Sequence, residues 1–276
     1  MYSNITFAFC QGVRLTILLS LCYTYATISP KEHISVDRKY IKEHFNRICL
    51  NNRELIKGSI KGIALYFTGL GHQTNPCNDM VAAPVCAENG VLYILPFYNP
   101  WCWMNAKTVS YIDTVVDVAK ELYGLDDNIP VGLYGGSMGG YNIFHYAIKS
   151  KHRIVAADLL CPCCNTEYEL SFNPNTIFRS YIESAVTDTD DIAAYVSENS
   201  PVNMVDKLAR IPYRFAVGLK DTALVPVQHS FLMVEKMRAA GYEVEQVDYP
   251  EVAHCNLPHK DRITEHVWLC EKILNA

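Results

Sequence analysis

Residues 131–141 read VGLYGGSMGGY, a short apolar run followed by four glycines packed around one serine. Glycine loses more conformational entropy on folding than any other residue, so this density requires a structural reason. One interpretation is a flexible loop. The other is a tight strand-to-helix turn that presents Ser137, in which glycines at positions 135 and 139 remove collisions with the neighbouring strand and helix.

The residues on each side of this stretch favour the turn. A Gly-x-Ser-x-Gly match arises by chance in roughly one chain in twenty of this length, so the motif alone is a modest signal. The apolar run 131–134 predicts a strand before Ser137, and 141–149 has the periodicity of a helix after it. A serine between a strand and a helix is the arrangement that a nucleophilic serine requires.

The rest of the chain repeats this alternation of strand and helix. Further strands are predicted at 63–68, 91–95, 154–160, 213–217 and 244–249. Further helices are predicted at 75–90 (kinked or split at Pro84), 108–123, 227–240 and 262–274. Such alternation implies an α/β fold with a mostly parallel central sheet and helices on both faces. The alternation of strands and helices is interrupted between residues 161 and 200, which predicts a lid-like insertion. We therefore expect an N-terminal extension over 1–59 and one domain over 60–276.

Composition excludes some classes of function. The chain has 276 residues, half of them apolar and 19% charged, so it can bury a sizeable core. Its net charge of −5 argues against a nucleic-acid partner. The eleven cysteines are an odd number, and a reducing compartment is the simpler interpretation. The cluster Cys161-Pro-Cys-Cys164 suggests a metal site, but no second Cys/His pair follows at zinc-finger spacing, so we predict no metal.

The N-terminal apolar segment 15–28 has two interpretations. Its 14 residues are too few to span a membrane comfortably, so we expect no stable membrane insertion. It is either an element packed on the core or the apolar part of a signal peptide with a poor cleavage site near residue 26. We favour the first, hence a cytoplasmic protein, with secretion after removal of about residues 1–26 as the alternative. The oligomeric state stays open.

A serine hydroxyl needs a base to take its proton and an acid to orient that base. In the arrangement that follows a strand-to-helix serine, both come later in the chain, the acid first. His254 lies just past the last predicted strand, at the sheet edge where ligands gather in parallel sheets. We predict His254 as the base and keep His259 in reserve.

The acid is expected after the strand 213–217. Asp221 lies in the loop GLKDTALVP at 218–226, between that strand and the next helix. Its alternative role is that of a turn-forming or helix-capping aspartate. Asp206 and Asp248 are weaker candidates, because one lies in a helix-like segment and the other inside a strand.

Acyl transfer also requires donors for the negative oxygen of the tetrahedral intermediate. The backbone N–H of Met138 is one predicted donor. The other is expected in the loop TGLGH at 68–72, from Leu70, with Gly71 as the alternative. Thr68 stands where lipases and esterases often carry a histidine.

These residues together resemble an α/β-hydrolase. The C-terminal part is similar to the catalytic domain of the prolyl oligopeptidase (S9) family and to its dienelactone-hydrolase-like and acetyl-esterase relatives. The resemblance covers roughly residues 60–274 and rests on GGSMGG at 135–140, SPV at 200–202 with the following Asp206-Lys207, GLKDTALVP at 218–226, VEKMRAAG at 234–241 and YPEVAH at 249–254. It implies the α/β-hydrolase fold, but this scaffold hosts peptidases and esterases alike. The 60 residues before the first core strand are too few for the β-propeller of true oligopeptidases.

The substrate is the least determined part of the prediction. Trp101 and Trp103 follow a predicted core strand and either line a substrate pocket or anchor their loop to the core. His72 is a further candidate for substrate contact, and the lid segment 161–200 is a candidate for the other wall of the pocket.

Three functions remain open. The first is a serine hydrolase without a cofactor that cleaves carboxylic esters, small or carbohydrate-linked, through an acyl-enzyme on Ser137. The second is a peptidase for short peptides, with Glu167, Glu169 and Arg179 as candidates for a clamp on a peptide terminus. The third is a catalytically inactive binding protein on the hydrolase scaffold.

Overall fold

A mostly parallel sheet forms the centre of the computed structural model, which describes residues 37–71, 81–172, 177–186 and 189–276. Within these residues the sheet has seven strands in the order β1-β3-β2-β4-β5-β6-β7. They are β1 (Cys49–Asn51), β2 (Gly62–Phe67), β3 (Val91–Pro96), β4 (Val131–Gly136), β5 (Ile154–Leu160), β6 (Tyr213–Gly218) and β7 (Val244–Tyr249). β1 is antiparallel to β3, and every other neighbouring pair is parallel.

Helices connect the strands and cover both faces of the sheet. They are α1 (Arg38–Glu43), α2 (Phe45–Ile48), α3 (Ala82–Glu88), α4 (Ala106–Tyr123), α5 (Met138–Lys149), α6 (Thr166–Phe172), α7 (Ile177–Ala185), α8 (Ile192–Asn199), α9 (Ser230–Ala239) and α10 (His259–Leu274). Short 3₁₀ turns occupy Arg53–Leu55, Pro201–Asn203 and Val205–Lys207.

The strands β2, β3 and β4 carry no charged residue, because both of their faces are covered. β3 is buried at every position, as is usual for parallel strands between two layers of helices. One apolar cluster packs α4, α5 and α9 on one face of the sheet. A second cluster packs α3 and α10 on the other face, against Tyr93 and Tyr134.

The observed bounds differ from the predicted ones in instructive places. α5 begins at Met138, three residues before the predicted start, because the helix accommodates Gly139 and Gly140 in its first turn. α3 begins at Ala82, so Pro84 lies in its first turn, where proline is tolerated and no kink results. The predicted start of that helix, at 75, lies outside the described residues.

The described part of the N-terminal extension packs on the sheet. β1 pairs antiparallel with β3 in the register Cys49↔Pro96 and extends the sheet at its edge. Phe45 of α2 is 4% exposed and belongs to the main core. The apolar segment 15–28 lies outside the described residues, and among those that are described no helix is both long and apolar enough to cross a membrane.

The insertion between β5 and β6, which we call the lid (residues 161–200), contains α6, α7 and α8. Its inner face packs against the start of α5 and against Trp103. This lid cluster consists of Trp103, Met138, Tyr141, Cys163, Ile182, Val186, Ile192 and Val196. The insertion is therefore anchored by apolar contacts next to Ser137.

Candidate active site

Ser137 lies on the sharp turn between β4 and α5. Its backbone has φ 57° and ψ −125°, a left-handed φ that side chains other than glycine rarely adopt. Two glycines make the turn possible. A Cβ at Gly139 would lie 2.3 Å from the carbonyl oxygen of Phe67, and one at Gly135 would lie 2.8 Å from the same oxygen. Any side chain at either position would push α5 away from β2.

His254 reaches Ser137 from the loop that follows β7. Its Nε2 lies 2.9 Å from Ser137 Oγ. On the other side of the ring, Nδ1 lies 2.7 Å from Oδ2 of Asp221. The carboxylate accepts a hydrogen bond from Nδ1–H, so Nε2 is left to accept a hydrogen bond from the serine hydroxyl.

Asp221 is fixed at the turn after β6 and is 4% exposed. Its Oδ1 accepts the backbone N–H groups of Ala223 and Leu224, each at 2.9 Å. Burial alone would raise the pKa of this carboxyl. The hydrogen bonds from His254 and from the two amides outweigh burial, so the pKa of Asp221 lies below its usual value and the group is ionised.

The same pair sets the protonation of His254. Burial lowers the pKa of an imidazole, but the hydrogen bond to Asp221 and its negative charge act in the opposite direction and prevail. The pKa of His254 therefore lies above its ordinary value of 6.5. The ring can accept a proton readily at neutral pH.

The two predicted donors of the site are backbone N–H groups close to Ser137 in the fold. Met138 occupies the first position of α5, where an N–H has no intrahelical acceptor. The loop after β2 comes close to the serine, since a Cβ on Gly69 would lie 3.6 Å from Ser137 Cβ. In this loop the N–H of Gly71 is already donated to Pro100 O at 3.2 Å, which leaves Leu70 as the better of the two predicted donors.

An open cleft of about 230 Å³ begins at Ser137 and His254. Leu70 lies on its wall. The cleft extends towards the face of the sheet that α10 covers. Its full lining is Tyr66, Phe67, Thr68, Gly69, Leu70, Tyr134, Gly136, Ser137, Leu160, His254, Cys255 and Arg262.

The two predicted tryptophans do not line this cleft. Trp103 is 3% exposed and belongs to the lid cluster. Trp101 is 37% exposed, and its ring lies 5.8 Å from that of Tyr181 in the lid. Trp101 also covers the turn at Gly71, whose Cβ position would lie 3.4 Å from the indole. His72 lies outside the described residues.

The remaining candidates lie away from Ser137 or are engaged elsewhere. His259 is exposed at the first position of α10. The residues considered for a peptide clamp contact partners within or next to the lid. Glu169 pairs with His229 at 2.9 Å, Glu167 accepts from Ser197 and Asn203, and Arg179 pairs with Glu183 at 2.7 Å.

Sequence reasoning missed the polar side chains of the cleft. Tyr66 and Tyr134 come from neighbouring strands, and Arg262 comes from the first turn of α10, eight residues after His254. Arg262 donates from Nε to Leu257 O at 2.8 Å and from Nη2 to Cys255 O at 3.0 Å. The two tyrosines occupy paired positions on adjacent strands, which is a signal once the register is known, whereas Arg262 has no motif around it.

A buried ionic cluster lies next to the cleft. Asp158 is fully buried and pairs in register with Tyr134. Glu265 is also fully buried and accepts from Arg214 Nε at 2.6 Å and from its Nη2 at 3.2 Å. Burial, reinforced by the negative charge of Glu265, holds the pKa of Asp158 well above its usual range. Asp158 therefore keeps its proton where most aspartates have lost it.

The cysteines around the site are thiols. All eight described cysteines are free, among them Cys161, Cys163 and Cys164. No group of three or more His, Cys, Asp or Glu side chains suited to a metal ion occurs in the described ranges.

The fold and this arrangement define an α/β-hydrolase. Esterase B from Lactobacillus rhamnosis has a similar structure, with a TM-score of 0.63 at 14% identity over 80% of this chain and 79% of that one. A puromycin-hydrolyzing peptidase of Mycobacterium tuberculosis matches with a TM-score of 0.62 at 16% identity, over 79% of this chain and 35% of that one. The predicted fold is thereby confirmed.

The sequence comparisons identify the family. The model described as "Prolyl oligopeptidase family" matches residues 98–269, more than half of the chain. The chain therefore belongs to the prolyl oligopeptidase (S9) family. It is 27% identical over 146 residues to the acylamino-acid-releasing enzyme of Arabidopsis thaliana, a match that covers 50% of this chain and 19% of that enzyme. The matched part of this chain thus spans about a fifth of the length of that curated relative.

Proposed function

We propose that the protein is a serine hydrolase that cleaves carboxylic esters through an acyl-enzyme on Ser137. The observation that carries the proposal is the continuous set of contacts from Asp221 through His254 to Ser137, with distances of 2.7 and 2.9 Å. These are the contacts that activate a serine hydroxyl in acyl transfer.

In the proposed reaction, His254 Nε2 takes the proton of Ser137 as Oγ attacks the ester carbonyl. Asp221 holds the ring in the required tautomer and stabilises the imidazolium that forms. His254 then gives the proton to the leaving alcohol, and the acyl group remains on Ser137. Attack by a water molecule, with His254 again as the base, releases the acid and restores the serine.

The negative oxygen of each tetrahedral intermediate is assigned to the N–H groups of Met138 and Leu70. Both flank Ser137, and both N–H groups lie where no described backbone carbonyl accepts them. Removing one such donor typically costs about 10²- to 10³-fold in kcat, so the pair contributes strongly to the rate.

The cleft supports a small substrate. Its volume of about 230 Å³ is below the range of roughly 300–1,000 Å³ that is usual for drug-sized ligands. The clamp candidates in the lid already have partners, which favours esters over peptides held by a terminus.

Cleavage of short peptides is the second candidate. Membership of the S9 family and the match to the Arabidopsis enzyme favour it. Amide hydrolysis would use the same three residues, so the choice between ester and amide is a matter of substrate and not of the proposed mechanism.

A fluorophosphonate probe tests the nucleophile. We expect covalent labelling of the wild type and none of Ser137→Ala, with Ser150→Ala as a control that keeps labelling, because Ser150 lies at the far end of α5. A folded wild type that is not labelled would overturn the hydrolase proposal and favour the inactive binding protein. Hydrolysis of p-nitrophenyl acetate alongside dipeptide and prolyl amides then separates esterase from peptidase.

A further inference from the structure

The cleft beside Ser137 contains a positive charge that the proposed reaction does not use. Arg262 lies in the cleft wall together with Ser137 and His254. Its guanidinium donates Nε–H to the carbonyl oxygen of Leu257 and one Nη2–H to that of Cys255. Both of these bonds are to neutral acceptors.

Three of the five guanidinium N–H groups remain for a ligand. They are the two on Nη1 and the second one on Nη2, which form a planar fork. In the part of the chain that the structure describes, no carboxylate lies within ion-pairing distance of Arg262. A planar fork of this kind matches the two oxygens of a carboxylate.

The nearby acidic groups do not neutralise this charge. Glu265, one turn further along α10, is bound to Arg214 and to the hydroxyl of Tyr249. Asp158 keeps its proton because of its burial and the charge of Glu265. The positive charge of Arg262 is therefore left without a partner at the cleft wall.

A second polar group in the same cleft lacks a partner. Tyr134 lines the cleft and is 2% exposed, and its buried hydroxyl has no hydrogen-bond partner. A buried hydroxyl without a partner costs free energy, and a ligand oxygen would satisfy it. Arg262 is also held in place by the loop of His254, so the cationic group is positioned before a ligand arrives.

We propose that Arg262 and Tyr134 form a subsite for a carboxylate, so that the preferred substrates are small esters that carry a negative carboxylate near the scissile bond. The preference among ester substrates rests on the proposed function. The binding of a carboxylate rests only on the residues of the cleft. The carboxylate belongs either to the acyl part, as in the half-ester of a short dicarboxylic acid, or to the leaving group, as in an acylated hydroxy acid.

Matched pairs of esters test the subsite. Monomethyl glutarate against methyl valerate probes the acyl side, and 3-acetoxypropionate against propyl acetate probes the leaving group. For the wild type we expect kcat/KM to favour the charged member of at least one pair by about tenfold or more, the ratio expected from one charge-assisted contact. The pair that shows the preference identifies the side on which the carboxylate lies.

Variants link the preference to the two residues. Arg262→Gln is expected to remove it, Arg262→Lys to retain part of it, and Tyr134→Phe to reduce it. Arg210→Gln is the matched control, because Arg210 also donates to a backbone carbonyl, that of Ala240, but lies outside the cleft. Ratios are compared because Arg262 also positions the loop of His254, so its loss lowers both rates.

Binding without turnover separates this inference from the proposed function. In the Ser137→Ala background, NMR titration is expected to give tighter binding of the charged ester, lost on adding Arg262→Gln. If the wild type cleaves no ester but this binding is seen, the reaction is wrong and the subsite stands. If the wild type cleaves the charged and the uncharged ester of each pair with the same kcat/KM, the subsite is wrong. It is also wrong if Arg262→Gln and Tyr134→Phe keep the full preference for the charged ester.

Discussion

The two sides of Ser137 differ in what they offer a substrate. On the lid side, Trp103, Tyr141, Ile182 and Val196 are each at most 3% exposed and leave no room for a ligand. On the α10 side, two tyrosines and an arginine are among the residues that line an open cleft. The apolar side thus stabilises the turn that carries the serine, and the polar side is where we propose that a substrate binds.

The largest expected effect comes from breaking the contact between His254 and Ser137, on which the proposed reaction depends whichever side the substrate occupies. His254→Ala removes the base that lies 2.9 Å from Ser137 Oγ, and we expect kcat to fall by about 10⁵- to 10⁶-fold. His259→Ala, the matched control on the exposed start of α10, is expected to keep wild-type kcat in the same p-nitrophenyl acetate assay. The reverse result would overturn the assignment of the base.

A smaller but more specific effect is expected at Asp221. Asp221→Asn keeps the size of the side chain but lowers kcat by about 10³- to 10⁴-fold, since the ring loses its orientation and its counter-charge. His254 acts as a base only when neutral, so kcat/KM of the wild type rises with pH through an apparent pKa above 6.5. Without the carboxylate that raises this pKa, the acid limb of the pH–rate profile should move to lower pH. An unmoved limb would mean that Asp221 does not set the pKa of His254.

The packing difference between the two sides is tested by stability. Ile182→Ala in the lid cluster should lower the free energy of unfolding by about 2–5 kcal/mol, because it leaves a cavity in a close-packed region. Tyr134→Phe in the cleft should not lower it and is expected to raise it by up to about 1–3 kcal/mol, because the substitution removes a buried hydroxyl that has no partner. Urea unfolding followed by fluorescence measures both, and equal losses would contradict the comparison.

A further effect, seen only as a dependence of stability on pH, concerns the buried acid beside the cleft. Asp158 keeps its proton in the native state, whereas the unfolded chain releases it above its ordinary pKa of about 3.9. The native state then binds one proton more, so the free energy of unfolding falls as pH rises, by up to about 1.4 kcal/mol per pH unit. Asp158→Asn removes this slope, so the variant should gain stability relative to the wild type between pH 5 and pH 8 in thermal unfolding. A constant difference across this range would contradict a protonated Asp158.

The fold could be predicted from the sequence because most strands and helices are recognisable from short stretches of residues. Strands 154–160 and 244–249 were predicted with the bounds that the structure has, since apolar runs between turn residues are visible within a few residues. The start of α5 was missed by three residues, because glycine disfavours helices in general and Gly139 is required here by the approach of Phe67.

The candidate site likewise contains residues that could be predicted from the sequence and residues that could not. Ser137, Asp221 and His254 each follow a strand, so their order along the chain and their place at the sheet edge could be predicted. Tyr66, Tyr134 and Arg262 converge through strand register and through the direction in which α10 leaves the loop, which no short stretch of sequence encodes. The two tryptophans illustrate the limit, because their positions, two residues apart in one loop, left open which ring is buried in the lid cluster and which is exposed.

The turn at Ser137 is held by a neighbour that comes later in the chain. The N–H of Ser137 donates to Leu160 O at the end of β5, and its carbonyl accepts the N–H of Cys163 in the lid, at 3.0 and 2.9 Å. A left-handed φ costs energy that these contacts must offset, so the segment 131–141 alone cannot maintain the conformation. We therefore expect Ser137 to become reactive only when β5 and the lid are in place, so that a covalent probe of Ser137 would also report on completed folding.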